Sequence, residues 1–292
     1  MTDDVTAALD RLIEAATVGR KWRELARITQ RGRAEVAAAF QAQGRVFLRA
    51  FAEMRPRFVE SVGGASYWTM FDAAGYPHPV REASPIPDDV WHRAWSDISA
   101  EMLRLMLASV VNLNELGLVL GAGALAAMMG EDIAQAFSLR NPRAVAYLEQ
   151  HGAALVTKIN ETTRDEMRVL VRQAVDEGWS YTRTAKAIRE QFEGFAGLKP
   201  QHHIRDRATL VAVTEAGQAY EEGSRIVAVG MAERGIPIEK YWRTSGDDRV
   251  SAGCRDNQAA GWLPVAEMFP SGHDRPLRFP GCRCTAQYRR AR

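Results

Sequence analysis

Cysteine is scarce in this chain: three in 292 residues, all beyond position 253. That excludes a disulfide-dense secreted scaffold and leaves reduced thiols or a metal site as the uses for the three. The short signatures of nucleotide and hydrolase chemistry are also missing. There is no Gly-x-Gly-x-x-Gly, no Gly-x-x-x-x-Gly-Lys loop, no Gly-x-Ser-x-Gly elbow and no His-Glu-x-x-His, so the sequence offers no support for catalysis. Neither sign of charge dominates, with 38 basic residues against 36 acidic and a formal +2. Bulk charge therefore names neither a nucleic acid nor a membrane as partner. Locally the balance fails: no acid follows Asp274, whereas Arg275, Arg278, Arg283, Arg289, Arg290 and Arg292 do.

Long hydrophobic runs are few. The chain opens Met1-Thr2-Asp3-Asp4, so no secretory or transit peptide is expected and synthesis is expected in the cytoplasm. The strongest apolar stretch, residues 116–130, is bounded by Glu115, Glu131 and Asp132 and falls short of the ~20 residues that span a bilayer. It reads as a buried helix or a helix pair joined at Gly121/Gly123, with a membrane-active segment as the rival reading and no stable membrane span expected.

What is present is mostly helical periodicity in an ordinary globular composition, 46% hydrophobic and 25% charged. Residues 4–58 repeat apolar positions at spacings of three, four and seven (Val36, Phe40, Phe47, Phe51) and predict one or two long helices. Prolines 77, 79, 85 and 87, with Tyr67 and Trp68, predict a long ordered loop over about 63–87. Helix resumes near Asp88 and Asp89. Asn141-Pro142 supplies a cap and a first-turn proline. The helix that follows is expected to stop at Gly178, and Ser180 to cap a short one carrying Ala185, Ile188 and Phe192. Leu210, Val213, Gly217, Tyr220, Ser224, Val227 and Met231 mark a long helix ending at Gly235. Beyond Pro237 come short β-like pieces at 241–244 and 283–288, the latter with Cys284, Ala286 and Tyr288 on one face. The expected fold is mainly α with a small α+β C-terminal domain: residues 1–140 helical, then 141–292 as three helices and a short irregular sheet.

The order of certain residues carries more than any one of them. Val213-Thr214-Glu215-Ala216 lies on the third helix of the C-terminal half. Trp242-Arg243-Thr244-Ser245 and Asp248-Arg249-Val250 follow, then Cys254, Gly261, Pro276 and Cys282-Arg283-Cys284. This ordered set, over about residues 141–288, resembles the phage Mu F / SPP1 gp7-like family of minor head (head morphogenesis) proteins. Many members place histidine where this chain has Cys254. The resemblance implies a virion protein of a tailed phage or prophage. It would act with the portal protein and other head or scaffold proteins in capsid assembly and DNA packaging, inside the head near the portal. It implies a structural protein, not an enzyme. Some members extend past the Cys-Arg-Cys into an effector; only eight residues follow Cys284 here, so no cargo is expected.

Within that frame the residues allow several assignments. Cys254, His273, Cys282 and Cys284 are a permitted tetrahedral zinc set. Unligated buried thiols and a disulfide are the alternatives, and no cofactor beyond a structural zinc is expected. Cys282 and Cys284 would face opposite sides of a strand, which opposes a shared site. Glu215, Arg243, Asp248 and Arg249 read as an internal acid–arginine latch holding the β region to the long helix. His202-His203 reads as a solvated loop. Arginines 275, 278, 283, 289, 290 and 292 read equally as nonspecific contacts to double-stranded DNA or as a docking surface. Two other functions compete with head assembly: a small metal-assisted enzyme using Glu215, Asp248 and the Cys/His group, and a membrane-active ejection protein using residues 103–130.

Overall fold

The computed structural model describes the backbone of residues 2–53, 57–60, 66–71, 77–79, 88–177, 179, 181–198 and 207–291. Side chains are described over 19–52, 95–133, 135–151, 154, 156–174, 176, 177, 179, 183–196 and 207–291. The elements in chain order are α1 (Thr2–Glu53), β1 (Arg57–Glu60), β2 (Ser66–Phe71), β3 (Pro77–Pro79), α2 (Asp88–Met129), α3 (Ile133–Ala136) and α4 (Pro142–Asp176). They continue with α5 (Tyr181–Glu193), a π-helical turn (Gly194–Leu198), α6 (Arg207–Glu233), β4 (Ile238–Arg243), α7 (Ala252–Ala259), β5 (Leu263–Pro264) and β6 (Thr285–Arg290). The mainly helical class with a small C-terminal sheet is therefore what the chain adopts.

Residues 63–87 differ from the loop read from their prolines. β2 and β3 lie there and pair antiparallel with β1 in the order β1-β2-β3. Pro77 and Pro79 sit on β3, an edge strand, where a missing N–H costs no ladder bond on the open side. The helix-ending and helix-capping roles read for Gly178 and Ser180, and the loop read for His202-His203, lie outside the described residues. Helix boundaries elsewhere follow local chemistry. The Asn141 side chain accepts from the Arg143 N–H at 2.9 Å and caps α4. Past the end of α6, Gly235 takes φ +83° while the Ile236 N–H returns to the Met231 carbonyl at 3.1 Å, the left-handed stop that glycine permits.

The chain forms two compact units, and the boundaries between them fall inside α1, α2, α4 and α6. One unit comprises residues 35–109 and 153–208. Its core is aromatic: Phe40 and Phe195 have ring centroids 5.4 Å apart, and Phe192 lies 5.4 Å from Phe195 and 6.2 Å from Phe47. Gln43, fully buried, donates to the Met102 carbonyl at 2.7 Å and to Asn160 Oδ1 at 3.0 Å, which satisfies a polar group that burial alone would penalise.

The other unit comprises residues 1–34, 110–152 and 209–292. Here α2 meets α6 at unusually short range. A Cβ added to Gly121 would come within 1.8 Å of the Tyr220 carbonyl oxygen, and one added to Gly223 within 2.0 Å of that of Leu118. The Ser224 hydroxyl donates to the Gly121 carbonyl at 2.9 Å. The apolar, glycine-rich stretch at 116–130 is thus one continuous helix whose small residues let two backbones touch. Leu118, Ala122, Leu125 and Ala126 are buried there. The segment Trp95–Met129 is long and apolar enough to cross a membrane, and half of its most apolar window is buried within the protein.

The C-terminal sheet has the order β5-β4-β6, with both neighbours antiparallel to β4. Tyr288 is buried and Ala286 half-buried, as the alternation predicts, but Thr285 is buried as well. Its burial has a specific cause on α6, described next.

Candidate functional site

Three carboxylates of α6, Glu215, Glu221 and Glu222, are each at most 3% exposed, a costly arrangement that demands partners. Glu221 has them on two sides. Lys21 of α1, itself 2% exposed, places Nζ 2.8 Å from Oε1 and also donates to the Cys284 carbonyl at 3.0 Å. The Thr285 hydroxyl donates to Glu221 Oε1 at 2.7 Å and the Ala286 N–H to Oε2 at 2.8 Å. One buried ion pair therefore ties α1, α6 and the free edge of β6. Glu222 receives a bidentate pair from Arg225 at 2.7 and 2.8 Å, and Arg275 Nε lies 3.1 Å away. Those hydrogen bonds hold the Arg225 guanidinium above even its ordinary pKa. Asp274 bridges Arg225 and Arg275, while its carbonyl accepts from buried Lys240 at 2.8 Å. Burial draws Lys240 down to about 8.

An acid–arginine latch between α6 and the β region thus exists, but not among the residues read from the sequence. Glu215 meets Asn114 Nδ2 at 3.5 Å and His151 Nε2 at 3.6 Å and neither Arg243 nor Arg249. Arg243 instead donates to Gln287 Oε1 at 2.9 Å. The Arg249 N–H goes to Asp247 Oδ1 at 3.1 Å. Asp248 is exposed, and its neighbour Asp247 takes the Arg283 guanidinium at 2.7 Å, which lowers the Asp247 carboxyl. Glu222 with Arg225 is a local helix pair, but Lys21 and Glu221 stand 200 positions apart and no local pattern announces them. The signal available is the adjacent acid pair Glu221-Glu222 within a helix that is mostly buried.

Glu215 is driven toward its protonated form. Burial raises it to about 8, and burial together with the Arg275 charge lowers His151 to about 4. Both groups are driven toward neutrality, so the pair is not an ion pair near pH 7. His151 Nε2 and Asn114 Oδ1 otherwise lack partners, and both are acceptors for a carboxyl proton. With 2% exposure, Glu215 presents nothing to a substrate. An open cavity of about 620 Å³ lies elsewhere in this unit, lined in part by Arg20, Arg23, Leu125, Met128 and Trp262 and by none of Glu215, Asp248 or the cysteines.

The cysteines converge. Sulfurs of Cys254, Cys282 and Cys284 all lie within 4.8 Å of one another, with Cys254 and Cys282 3.9 Å apart. The expected conflict of opposite strand faces does not arise, because both late cysteines precede β6 in a turn where Gly281 takes φ +78°. Hydrogen bonds from Cys282 and Cys284 hold the Cys254 thiol far below the ordinary range, and the same sharing holds those two up. His273 stands apart from this group. Its Nδ1 lies 3.0 Å from both the Ser271 hydroxyl and the Ser271 carbonyl, and Asn257, fully buried, holds Ser271 in turn.

Of the C-terminal arginines, Arg275, Arg283 and Arg289 each face a carboxylate, of Glu222, Asp247 and Glu239 respectively. Arg278 donates to Ser251 Oγ at 3.1 Å, Arg290 is exposed, and Arg292 lies outside the described residues. The tail is a set of internal ties more than a free cationic surface.

The residues whose order drew attention in the sequence form one knot. Trp242, fully buried, packs edge-on against Phe269 at 5.1 Å and shares a cluster with Val250, Leu277 and the three cysteines. The Thr244 N–H and hydroxyl both donate to Gln258 Oε1, at 2.8 and 2.7 Å, joining β4 to α7. Thr214 accepts from the Gly281 N–H at 3.1 Å and so fixes the cysteine turn to α6. Neither a curated protein nor a solved structure shows a significant match to this chain. Residues 165–287 match the family model described as Phage Mu protein F like protein, a span that contains the whole knot. Over that segment, less than half of its length, the chain is similar to the phage Mu F-like proteins.

Proposed function

We propose that the chain works in head assembly of a tailed phage by binding alone. It is made in the host cytoplasm, docks on the portal protein and neighbouring head or scaffold proteins, and enters the particle beside the portal. The observation that carries this reading is the placement of the family's signature residues. Trp242, Thr214, Thr244, Glu215 and the cysteines are at most 4% exposed and serve as packing and ties. A catalytic set would be expected in an accessible cleft with a nucleophile, base and orienting group in register. Glu215 is buried, Asp248 is exposed, and neither lines the open cavity, so together they do not make one.

Docking rather than DNA contact is favoured for the C-terminal arginines. A guanidinium already paired with a carboxylate releases few counterions on meeting a phosphate, so it adds little salt-dependent affinity. The test is co-purification with portal from assembling heads at low and at high salt. Retention at high salt is expected. Loss of the chain at modest salt, together with retention on bare duplex DNA at low salt, would overturn the reading in favour of a DNA-bound protein.

A further inference from the structure

We propose that Cys254, Cys282 and Cys284 form a three-thiolate site for a single zinc ion, completed by a water. The inference stands apart from head assembly and rests on where three side chains meet. Cys254 lies in the first turn of α7, three residues after the Ser251 N-cap. The other two lie 28 and 30 residues further along, in the turn before β6. Sulfurs bound tetrahedrally at about 2.3 Å from zinc stand about 3.8 Å apart. The closest pair here is at 3.9 Å and the whole group is within 4.8 Å, so an ion needs sub-ångström adjustment to bind all three. A disulfide would instead have to bring two of these sulfurs to about 2.05 Å and strand the third.

The surroundings suit thiolates. Three thiols bind with loss of three protons, leaving the cluster with one net negative charge. Two positive features lie alongside it: the N-terminal end of α7, whose Cys254 N–H points at Ser251 Oγ, and Arg278, which bonds the same hydroxyl. The walls are apolar: Trp242, Val250, Phe269 and Leu277. The role is also legible. Between Arg243 and Thr285 the only regular elements are α7, eight residues, and β5, two residues. An ion joining α7 to the turn before β6 would staple this stretch, which has little regular structure of its own. His273, held by Ser271, contributes no ligand, and among the described residues no other His, Cys, Asp or Glu joins the group.

The experiment measures metal in the full-length chain purified under reducing conditions, by inductively coupled plasma mass spectrometry and by native mass. About one zinc per chain is expected. Cys254→Ser, Cys282→Ser and Cys284→Ser should each lose most of it, and His273→Ala should keep it all. Chelation should lower the melting temperature of the wild type but not of the Cys→Ser variants. If those variants do not fold, cobalt titration of chelated wild-type chain decides: a thiolate-to-cobalt charge-transfer band saturating at one equivalent supports the site, and its absence overturns it. Metal-free protein with three titratable thiols in denaturant would mean packing thiols only. A single titratable thiol in chain purified without reductant would mean a disulfide, and loss of zinc from His273→Ala would mean a different ligand set. Each of these three results overturns the proposal.

Discussion

Replacing Glu215 with glutamine should stabilise the fold at neutral and mildly alkaline pH, because the native carboxyl resists giving up its proton. In the unfolded chain it titrates near 4.5, and in the fold near 8. Below the first value both states hold the proton and there is no penalty. Between the two, unfolding releases a proton, so stability falls as pH rises, by about 1.4 kcal/mol per pH unit. The loss totals about 5 kcal/mol once pH passes the folded value, of which about 2 kcal/mol falls between pH 6.5 and 8. Comparison with a variant that shares every other titrating group, the lowered Cys254 thiol included, isolates Glu215. His151, lowered from 6.5 to about 4, contributes fully above 6.5 and loses its contribution only as pH falls toward 4. Lys240, lowered from 10.5 to about 8, changes the slope only above the window. Glutamine keeps an oxygen for Asn114 Nδ2 and offers an N–H to His151 Nε2, so the geometry survives while the titration disappears. Urea unfolding of both proteins across the window should show the stability advantage of Glu215→Gln over the wild type growing with pH, by about 2 kcal/mol. Parallel curves, or a variant less stable than wild type at the upper end, would refute the assignment of a neutral, proton-donating Glu215.

Removing one side of the buried ion pair should be costly. Lys21→Met leaves Glu221 charged and under-satisfied in the interior, and a loss of about 3–5 kcal/mol in denaturant unfolding is expected; the double variant Lys21→Met/Glu221→Gln should recover a good part of it. Gly121→Ala sets a methyl into the Tyr220 carbonyl, so it should lower the melting temperature, opposite in sign to the usual helix gain of about 0.5–1 kcal/mol on replacing glycine. Asp247→Asn breaks a half-exposed pair with Arg283 and should cost no more than about 1 kcal/mol, a control showing that the large effects belong to the buried ties.

Local chemistry was readable wherever it decided the structure. The Asn141 cap, the Gly235 stop and the apolar spacing along α6 all appear in the fold where their residue types place them. β3 is hard to read because prolines normally break strands, and the edge position that tolerates them is a property of pairing, not of the segment. α7 was missed because its eight residues carry only two buried side chains, Cys254 and Asn257, too few for a periodic signal. The latch was anticipated in kind and misassigned in residue. Asp248-Arg249 was conspicuous as a neighbouring pair, whereas Lys21 and Glu221 are brought together only by the packing of α1 on α6. The three cysteines meet, whereas Ser271 and Asn257 hold the His273 ring apart from them, which spacing alone does not show.

The central claim is that the Mu F-like segment binds and holds without turning anything over. Under the proposed role, its most direct test is complementation, with a Glu215→Gln/Asp248→Ala variant, of a phage or prophage deleted for this chain. The account predicts normal incorporation beside the portal and undiminished yield of filled heads. A folded, incorporated variant that leaves heads unmade or unfilled would contradict it.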